Sequence, residues 1–536
     1  MKVMKLITTQ QYIGRGLVTL LFVMLLSACS DFGDTNIDPV RSSNLDPEKQ
    51  LNLVQLGYSG GLGVNERVSV MLTMPMVQQI GGIWANRYGQ FYIENKPYMG
   101  YLWENTFNAQ LLNIVDAVER TDGKEDQTNL NAICRIMKVY LFARFTDLYG
   151  DIPYTEAGKG YFEGIVRPVY DRQEDIYHDF FRELSEASEQ LDPSADNVEN
   201  DFFYDGNIEA WKKFANSLHL RLAMRLVKAD PQLAREEARK AYEAGLLQNN
   251  AETCMMQHEN VQNDYTDIRG NGLSAALNQS SEPSRLSNTL VDIMRESNDP
   301  RLAEMAKYYT TYEYRPFDRI DITEEVRAVV GYTGVNSNEY LWDNWKGSFE
   351  ITLPSGETHV VTNNEQKIQP ANFLIANNAP YLHLTYAEVE FLLADATLRF
   401  GQEFGESAQI HYEKGIRAAL EQLSFFPDGP TFTETQISDF IQSVPLLPGR
   451  ELEVVNTQLW IALFLNGPEA FANWRRTGYP VLPSSVTSES TTTETPRRLV
   501  YPLTEQEQNA TNYQEAVDRL GGQDSWNARV WWDVEQ

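Results

Sequence analysis

The 536-residue sequence predicts a mostly α-helical fold: a helical-repeat scaffold of about four helix pairs, with long irregular insertions and a few short β-hairpins. Three observations carry this. Apolar residues recur at three- and four-residue steps. The periodic runs come in adjacent pairs separated by Gly, Pro or Asp turns. Between the pairs lie stretches too long to be simple connections.

In the first pair, Leu130, Ile133, Cys134, Met137, Tyr140, Leu141 and Phe145 share one helix face up to Tyr149-Gly150, and Pro153 prevents continuation. Its partner spans 172–191 and stops at Asp192-Pro193. The second pair begins after Asn207, a residue suited to an N-cap. It turns Trp211, Phe214, Ala215, Leu218, Leu222 and Leu226 inward, breaks at Asp230-Pro231, and resumes over 232–244 until Gly245. The third pair, 385–400 and 406–423, places Ala394, Ala396, Ala408, Gly415 and Ala418 where two helices approach closely. The fourth is 451–465 followed by 468–476. The pairing is similar to tetratricopeptide repeats, without a strict period of about 34 residues. The irregular regions 246–284 and 308–380 hold Gly, Asn, Tyr, Trp and alternating runs such as His359-Val360-Val361. They predict an insertion-built binding face with one or two short hairpins.

The first 28 residues predict a signal peptide. Lys2, Lys5 and Arg15 precede an apolar run over 17–26 broken only by Thr19, and Leu26-Ser27-Ala28 ends in a small-residue cleavage site. Cys29 would then be first, a pattern that resembles a bacterial lipobox; a plain signal peptide with a coincidental cysteine is the alternative. Lipidation of Cys29 predicts an exported protein held at a membrane by acyl chains instead of a spanning helix. Residues 29–46 read as a lipidated N-terminus and acidic tether, and 47–536 as one folded domain.

Composition narrows the function classes. Forty-five Lys and Arg against 75 Asp and Glu give a formal charge of −30, which excludes nucleic acid as an expected partner. Twenty-seven Tyr and 10 Trp are too many for a disordered chain. Beyond Cys29 only Cys134 and Cys254 remain; Cys134 reads as core packing, and nothing in the sequence argues for a bridge. No segment after residue 28 reaches the roughly 20 apolar residues of a membrane helix.

Catalytic motifs are sparse. The closest histidines, His383 and His411, are too far apart for a helix-face metal pair, and no calcium loop, phosphate loop or dinucleotide fingerprint is present. No cofactor is therefore expected, with a calcium site built from distant loops left open. Gly57-Tyr58-Ser59-Gly60-Gly61 fits G-x-S-x-G, but the nucleophile elbow needs a strand before it and a helix after it. Here a helix precedes Ser59 and 60–63 reads as loop, so a serine hydrolase is only an alternative. The aromatic residues are more telling. Seven lie between Trp84 and Trp103, interleaved with Asn86, Arg87, Gln90 and Asn95. Rings flanked by amides and guanidinium suit sugars, whose C–H faces pack on rings while hydroxyls meet polar groups. Trp84, Asn86, Arg87, Tyr88 and Tyr92 are the first candidate site; Tyr98, Tyr101 and Trp103 read as packing. Asp264, Tyr265, Tyr332, Tyr340, Trp342 and Trp345 form a second candidate face.

Several stretches, taken together, resemble the SusD/RagB family of outer-membrane nutrient-binding lipoproteins of Bacteroidetes, its SusD-like branch in particular. They are Phe145-Thr146-Asp147-Leu148-Tyr149-Gly150-Asp151-Ile152-Pro153-Tyr154, the run from Trp211 to Arg225, Asp299-Pro300-Arg301-Leu302, the run from Tyr386 to Ala396, Asn473-Trp474-Arg475-Arg476-Thr477-Gly478-Tyr479-Pro480, and Val530-Trp531-Trp532-Asp533. The acids after Cys29 also resemble the surface-export signals of such lipoproteins, with plain solvation the alternative. The resemblance implies a scaffold of four tetratricopeptide-like pairs. It implies a cell-surface, lipid-anchored protein of the outer membrane that serves as a lid over a SusC-like TonB-dependent barrel transporter. Its ligand would be a glycan or oligosaccharide, or a peptide in the RagB type, bound without catalysis. It carries over no ligand-contact residue, so the aromatic candidates rest on the residues themselves.

Overall fold

The structure, a computed structural model, describes residues 45–278, 283–310, 319–344 and 346–535; the signal peptide, Cys29, most of the tether and Trp345 lie outside the described residues. All four predicted helix pairs are present: Thr128–Tyr149 with Gln173–Gln190, Ile208–Arg225 with Pro231–Ala244, Tyr386–Phe400 with Ala408–Glu421, and Glu451–Ala462 with Gly467–Thr477. Their ends follow local chemistry. Asn207 Oδ1 accepts from the Ala210 N–H at 3.2 Å, Asp230 Oδ1 from Leu233 at 3.0 Å and Thr385 Oγ1 from Glu388 at 3.1 Å, each satisfying an orphan N–H of a first turn. Gly415 lets the third pair close, since a Cβ there would stand 2.8 Å from the Phe391 ring.

Ahead of these pairs run Pro47–Gly60, Lys96–Thr106 and Leu112–Thr121. The expected loop at 60–63 is instead helical up to Gly60 and again over Leu62–Val64, and leads into a nine-residue π-helix, Asn65–Thr73. A second π-helix, Phe107–Leu111, joins two of the helices. Such wide turns leave no residue-type signature in the sequence. The described strands form four two-stranded sheets. Only Phe349–Thr352 with Thr358–Val361 is a local hairpin, containing the alternating run at His359. That hairpin meets the expectation of one or two in 246–284 and 308–380; the others pair distant segments, as in Ile80–Gly81 with Arg285–Leu286. One apolar cluster runs from Leu51 to Trp532, with Cys134 fully buried in it.

Through this core passes a network of buried charges. Asp147 accepts from Tyr177 Oη at 2.5 Å, Trp532 Nε1 at 2.8 Å and Arg225 Nε at 3.2 Å. Arg225 also clamps both oxygens of Glu469 at 2.5 and 2.6 Å, and Arg221 both of Glu388 at 2.6 and 2.7 Å. Asp395 accepts from Arg476 at 2.9 Å, Asn456 at 2.8 Å, and Arg399. Burial alone would raise the Asp395 carboxyl's pKa; Arg399, Arg476 and the Asn456 amide reverse this and hold it well below the usual carboxylate range.

Removing one member of such a buried pair strands the other. Asp395→Asn should lower the unfolding free energy by about 3–5 kcal/mol, read by chemical denaturation. Because the folded-state pKa is depressed, the Asp395 contribution is full above the unfolded-state value of about 3.9 and is lost as pH falls through the lower folded value. The variant should therefore show a shallower loss of stability than wild type below about pH 4.

Candidate ligand-binding platform

Two loops far apart in sequence meet at the surface. The first leaves the Ile80–Gly81 strand through Gly82, whose φ of +96° and contact with Val335 require glycine: a Cβ would stand 2.9 Å from the valine side chain. The second spans 333–344. Gly82 O accepts from the Leu341 N–H at 2.9 Å. The Gln90 side chain spans both loops, accepting from the Gly82 N–H at 2.8 Å and donating to Glu339 O at 2.6 Å. Ile83, Val335 and Leu341 form a small apolar cluster separate from the main core, and it locks the two loops together.

Above that cluster, three rings fall into near-parallel array. Tyr340 lies 4.5 Å from Trp342 at an interplanar angle of 9°, and 6.2 Å from Trp84 at 16°. Phe91, buried, supports Tyr340 edge-on at 4.7 Å. Trp84 is 58% exposed and Trp342 45%, unusual for rings of this size on a well-packed protein. The Arg87 guanidinium sits 3.2 Å from the Trp84 ring centroid and donates to Tyr88 Oη at 3.1 Å. Tyr340 Oη donates to Glu489 at 3.2 Å; burial and that carboxylate push the Tyr340 hydroxyl up to about 12, so the ring stays neutral at physiological pH.

From Arg87 the aromatic surface continues. Tyr88 meets Tyr98 edge-on at 5.0 Å, and Arg67, on the first π-helix, lies over Tyr98 at 5.7 Å and Tyr101 at 4.5 Å. Tyr265, 60% exposed, places its hydroxyl against Glu66 and Arg67. Asp264 accepts from the Thr266 and Asp267 N–H groups at 2.7 and 2.8 Å, shaping the turn that presents Tyr265.

The structure thus joins residues read as two faces: Trp84, Arg87 and Tyr88 with Tyr340 and Trp342. Two candidates are corrected. Asn86 is fully buried, and its amide donates to Val70 O at 2.8 Å and Ser284 Oγ at 3.2 Å, so it holds the loop's base. Tyr92 is buried with its hydroxyl 2.9 Å from Thr495 Oγ1 and belongs to the core. Tyr332 is half-buried against Arg327, which donates to its hydroxyl at 2.9 Å, and makes no ring contact with the platform. Of the three rings assigned to packing, Trp103 is buried, whereas Tyr98 and Tyr101 are half-buried beneath Arg67. Glu489, 149 residues from Tyr340, was missed; no local motif signals it.

Ser59 does not form a nucleophile elbow. It is fully buried in the Pro47–Gly60 helix, where an elbow would place it at a strand-to-helix turn. Its hydroxyl meets His258 Nε2 at 3.0 Å, and His258 Nδ1 meets Arg269 O at 3.0 Å. Burial pushes His258 down to about 4, so the ring is neutral: Nδ1–H donates to the carbonyl and Nε2 accepts from the serine. A Cβ on the adjacent Gly60 would stand 2.2 Å from Ile268 O, so loop backbone fills the space beside the serine. The pair ties the loop bearing Tyr265 to the scaffold. Among the described residues no group of three or more His, Cys, Asp or Glu side chains could hold a metal ion, and Cys134 and Cys254 are free and buried. No described helix is long and apolar enough to cross a membrane.

A helical-pair scaffold thus carries a cluster of exposed rings on its connecting segments. Residues 76–502 match the SusD-like family, described as starch-binding associating with outer membrane, and the chain belongs to that family. Solved structures agree. A chitin-binding protein is 34% identical with a TM-score of 0.79, covering 91% of this chain and 100% of its own. A Bacteroidetes AC2a SusD-like protein is 32% identical with a TM-score of 0.84, covering 92% and 100%. A chitin-binding SusD homolog from Flavobacterium johnsoniae is 25% identical with a TM-score of 0.66, covering 91% and 98%. No curated protein matches.

The small cluster beneath the platform can be tested apart from the core. Leu341→Ala should remove amide hydrogen-exchange protection across 333–344 while the protection of Thr128–Tyr149 and Ile208–Arg225 is retained.

Proposed function

We propose that this protein is a cell-surface lipoprotein that captures oligosaccharides on the Trp84–Tyr340–Trp342 platform. It is held in the outer membrane by acyl chains on Cys29 and passes its ligand to a SusC-like TonB-dependent barrel transporter. The observation that carries the reading is the near-parallel array of rings, two of them about half exposed. A pyranose packs its apolar C–H face on the exposed sides of Trp84 and Trp342, while its rim hydroxyls meet Arg87 and Glu489. An open platform suits a ligand that must be released onward, since it buries less of the ligand than a closed pocket does. Family membership and the chitin-binding names of two relatives favour a glycan. The reading calls for no cofactor.

Chain lacking residues 1–28 should bind starch- or chitin-derived oligosaccharides in isothermal titration calorimetry. Trp84→Ala should weaken that binding about tenfold, near 1.4 kcal/mol. Unchanged affinity in Trp84→Ala, or binding to peptide digests with indifference to glycans, would overturn the reading. Mass spectrometry of membrane fractions should find Cys29 acylated; an unmodified Cys29 on a soluble product would remove the anchor.

A further inference from the structure

A second concave surface, built from none of the platform residues, lies elsewhere on the protein. It encloses about 700 Å³ between the turns at 371–379 and 427–430 and Asn260. That volume falls within the range of about 300–1,000 Å³ typical of ligand pockets. The side-chain amides of Asn260, Asn377 and Asn378 line it and make no hydrogen bond among the described residues. Phe373, half-buried, offers a ring to it, braced edge-on by Phe426 at 6.0 Å.

The walls are fixed. Tyr309 forms the floor: Arg319 lies 4.0 Å from its ring centroid, and its hydroxyl accepts from the Asn372 N–H at 3.0 Å. The turn carrying Asn377 and Asn378 is closed by Ala379 N–H to Ala376 O at 3.0 Å and anchored by Asn271 N–H to Asn377 O at 2.8 Å. On the opposite wall Pro427 and Pro430 bracket Gly429, whose N–H donates to Phe426 O at 2.9 Å. Ordering costs were met on folding, so a ligand meets preplaced groups.

We infer that this concavity is a second oligosaccharide subsite, taking a short, neutral, hydroxyl-rich segment. Each free amide offers a donor and an acceptor side by side, matching vicinal hydroxyls, and Phe373 supplies one apolar face. The charged side chains at the rim do not favour an anion: Lys307 lies 3.8 Å from Glu304, and Asp428 adds a negative charge. The inference rests on the glycan reading above for the choice of ligand, and on the geometry of the concavity for the site.

The test is titration of wild type, Trp84→Ala/Trp342→Ala, and Asn377→Ala/Asn378→Ala with maltoheptaose and chitohexaose. The asparagine pair is half-buried on a surface turn, so its loss should leave the thermal unfolding midpoint in place. Two sugars per chain in wild type, one in each double variant, is the expected result, with Phe373→Ala weakening the residual site of the platform variant at least fivefold. One sugar per chain, abolished in the platform variant and unchanged in the asparagine variant, would overturn the second site while leaving the platform standing. Loss only in the asparagine variant would do the reverse. Wild type that binds neither sugar, nor any member of a glycan array, would overturn both.

Discussion

Asp395 sits at zero exposure between Arg476, Arg399 and Asn456, and the fold depends on such buried ion pairs staying intact. Three helices, Tyr386–Phe400, Glu451–Ala462 and Gly467–Thr477, converge on that one carboxylate. The Arg225–Asp147–Glu469 cluster joins the first, second and fourth pairs and brings Trp532, near the end of the chain, into the core. Apolar packing alone tolerates sliding of one helix past another; a buried guanidinium with fixed partners does not, because any shift leaves a charge unpaired at a cost of several kcal/mol. The pairs therefore act as registration pins. The motifs that tie this sequence to its family are largely these pins, which is why they report fold and not ligand.

With the scaffold fixed by buried charge, the connecting segments are free to build surface. The platform takes Trp84 from one insertion, Tyr340 and Trp342 from another and Glu489 from a third. A three-residue apolar cluster and the two-way hydrogen bonding of Gln90 join the first two segments, and Tyr340 Oη donates to Glu489 of the third. A site so assembled can change its ring and amide content without disturbing the helices beneath. Relatives with one scaffold can thereby accept different ligands.

The helices were legible because each carries its own signal: periodicity in the Thr128–Tyr149 face, Asn207 and Asp230 as caps, Gly415 at a close approach. The π-helix at Asn65–Thr73 was not, since its wider turn comes from packing against neighbours and not from residue type. For the site, residue type was readable and position was not. Trp84 and Trp342 were identified as candidates, but their juxtaposition depends on a strand pairing between Ile80–Gly81 and Arg285–Leu286 that no local pattern announces. Asn86 and Tyr92 misled for the same reason: an amide and a phenol beside exposed rings look equally available, and only tertiary contacts with Ser284 and Thr495 show them occupied. Ser59 and His258 show the converse. A motif that suggests chemistry is used here to fasten a loop.

On the proposed function, a sugar chain rests on the surface formed by Trp84, Tyr340 and Trp342. The most direct measurement is a crystal structure of the chain lacking residues 1–28, soaked with chitohexaose and with maltoheptaose. Pyranose density packed on the exposed sides of Trp84 and Trp342, with hydroxyls within hydrogen-bond distance of Arg87 or Glu489, is the expected result. Sugar ordered elsewhere on the protein, with the platform in contact only with solvent, would contradict it.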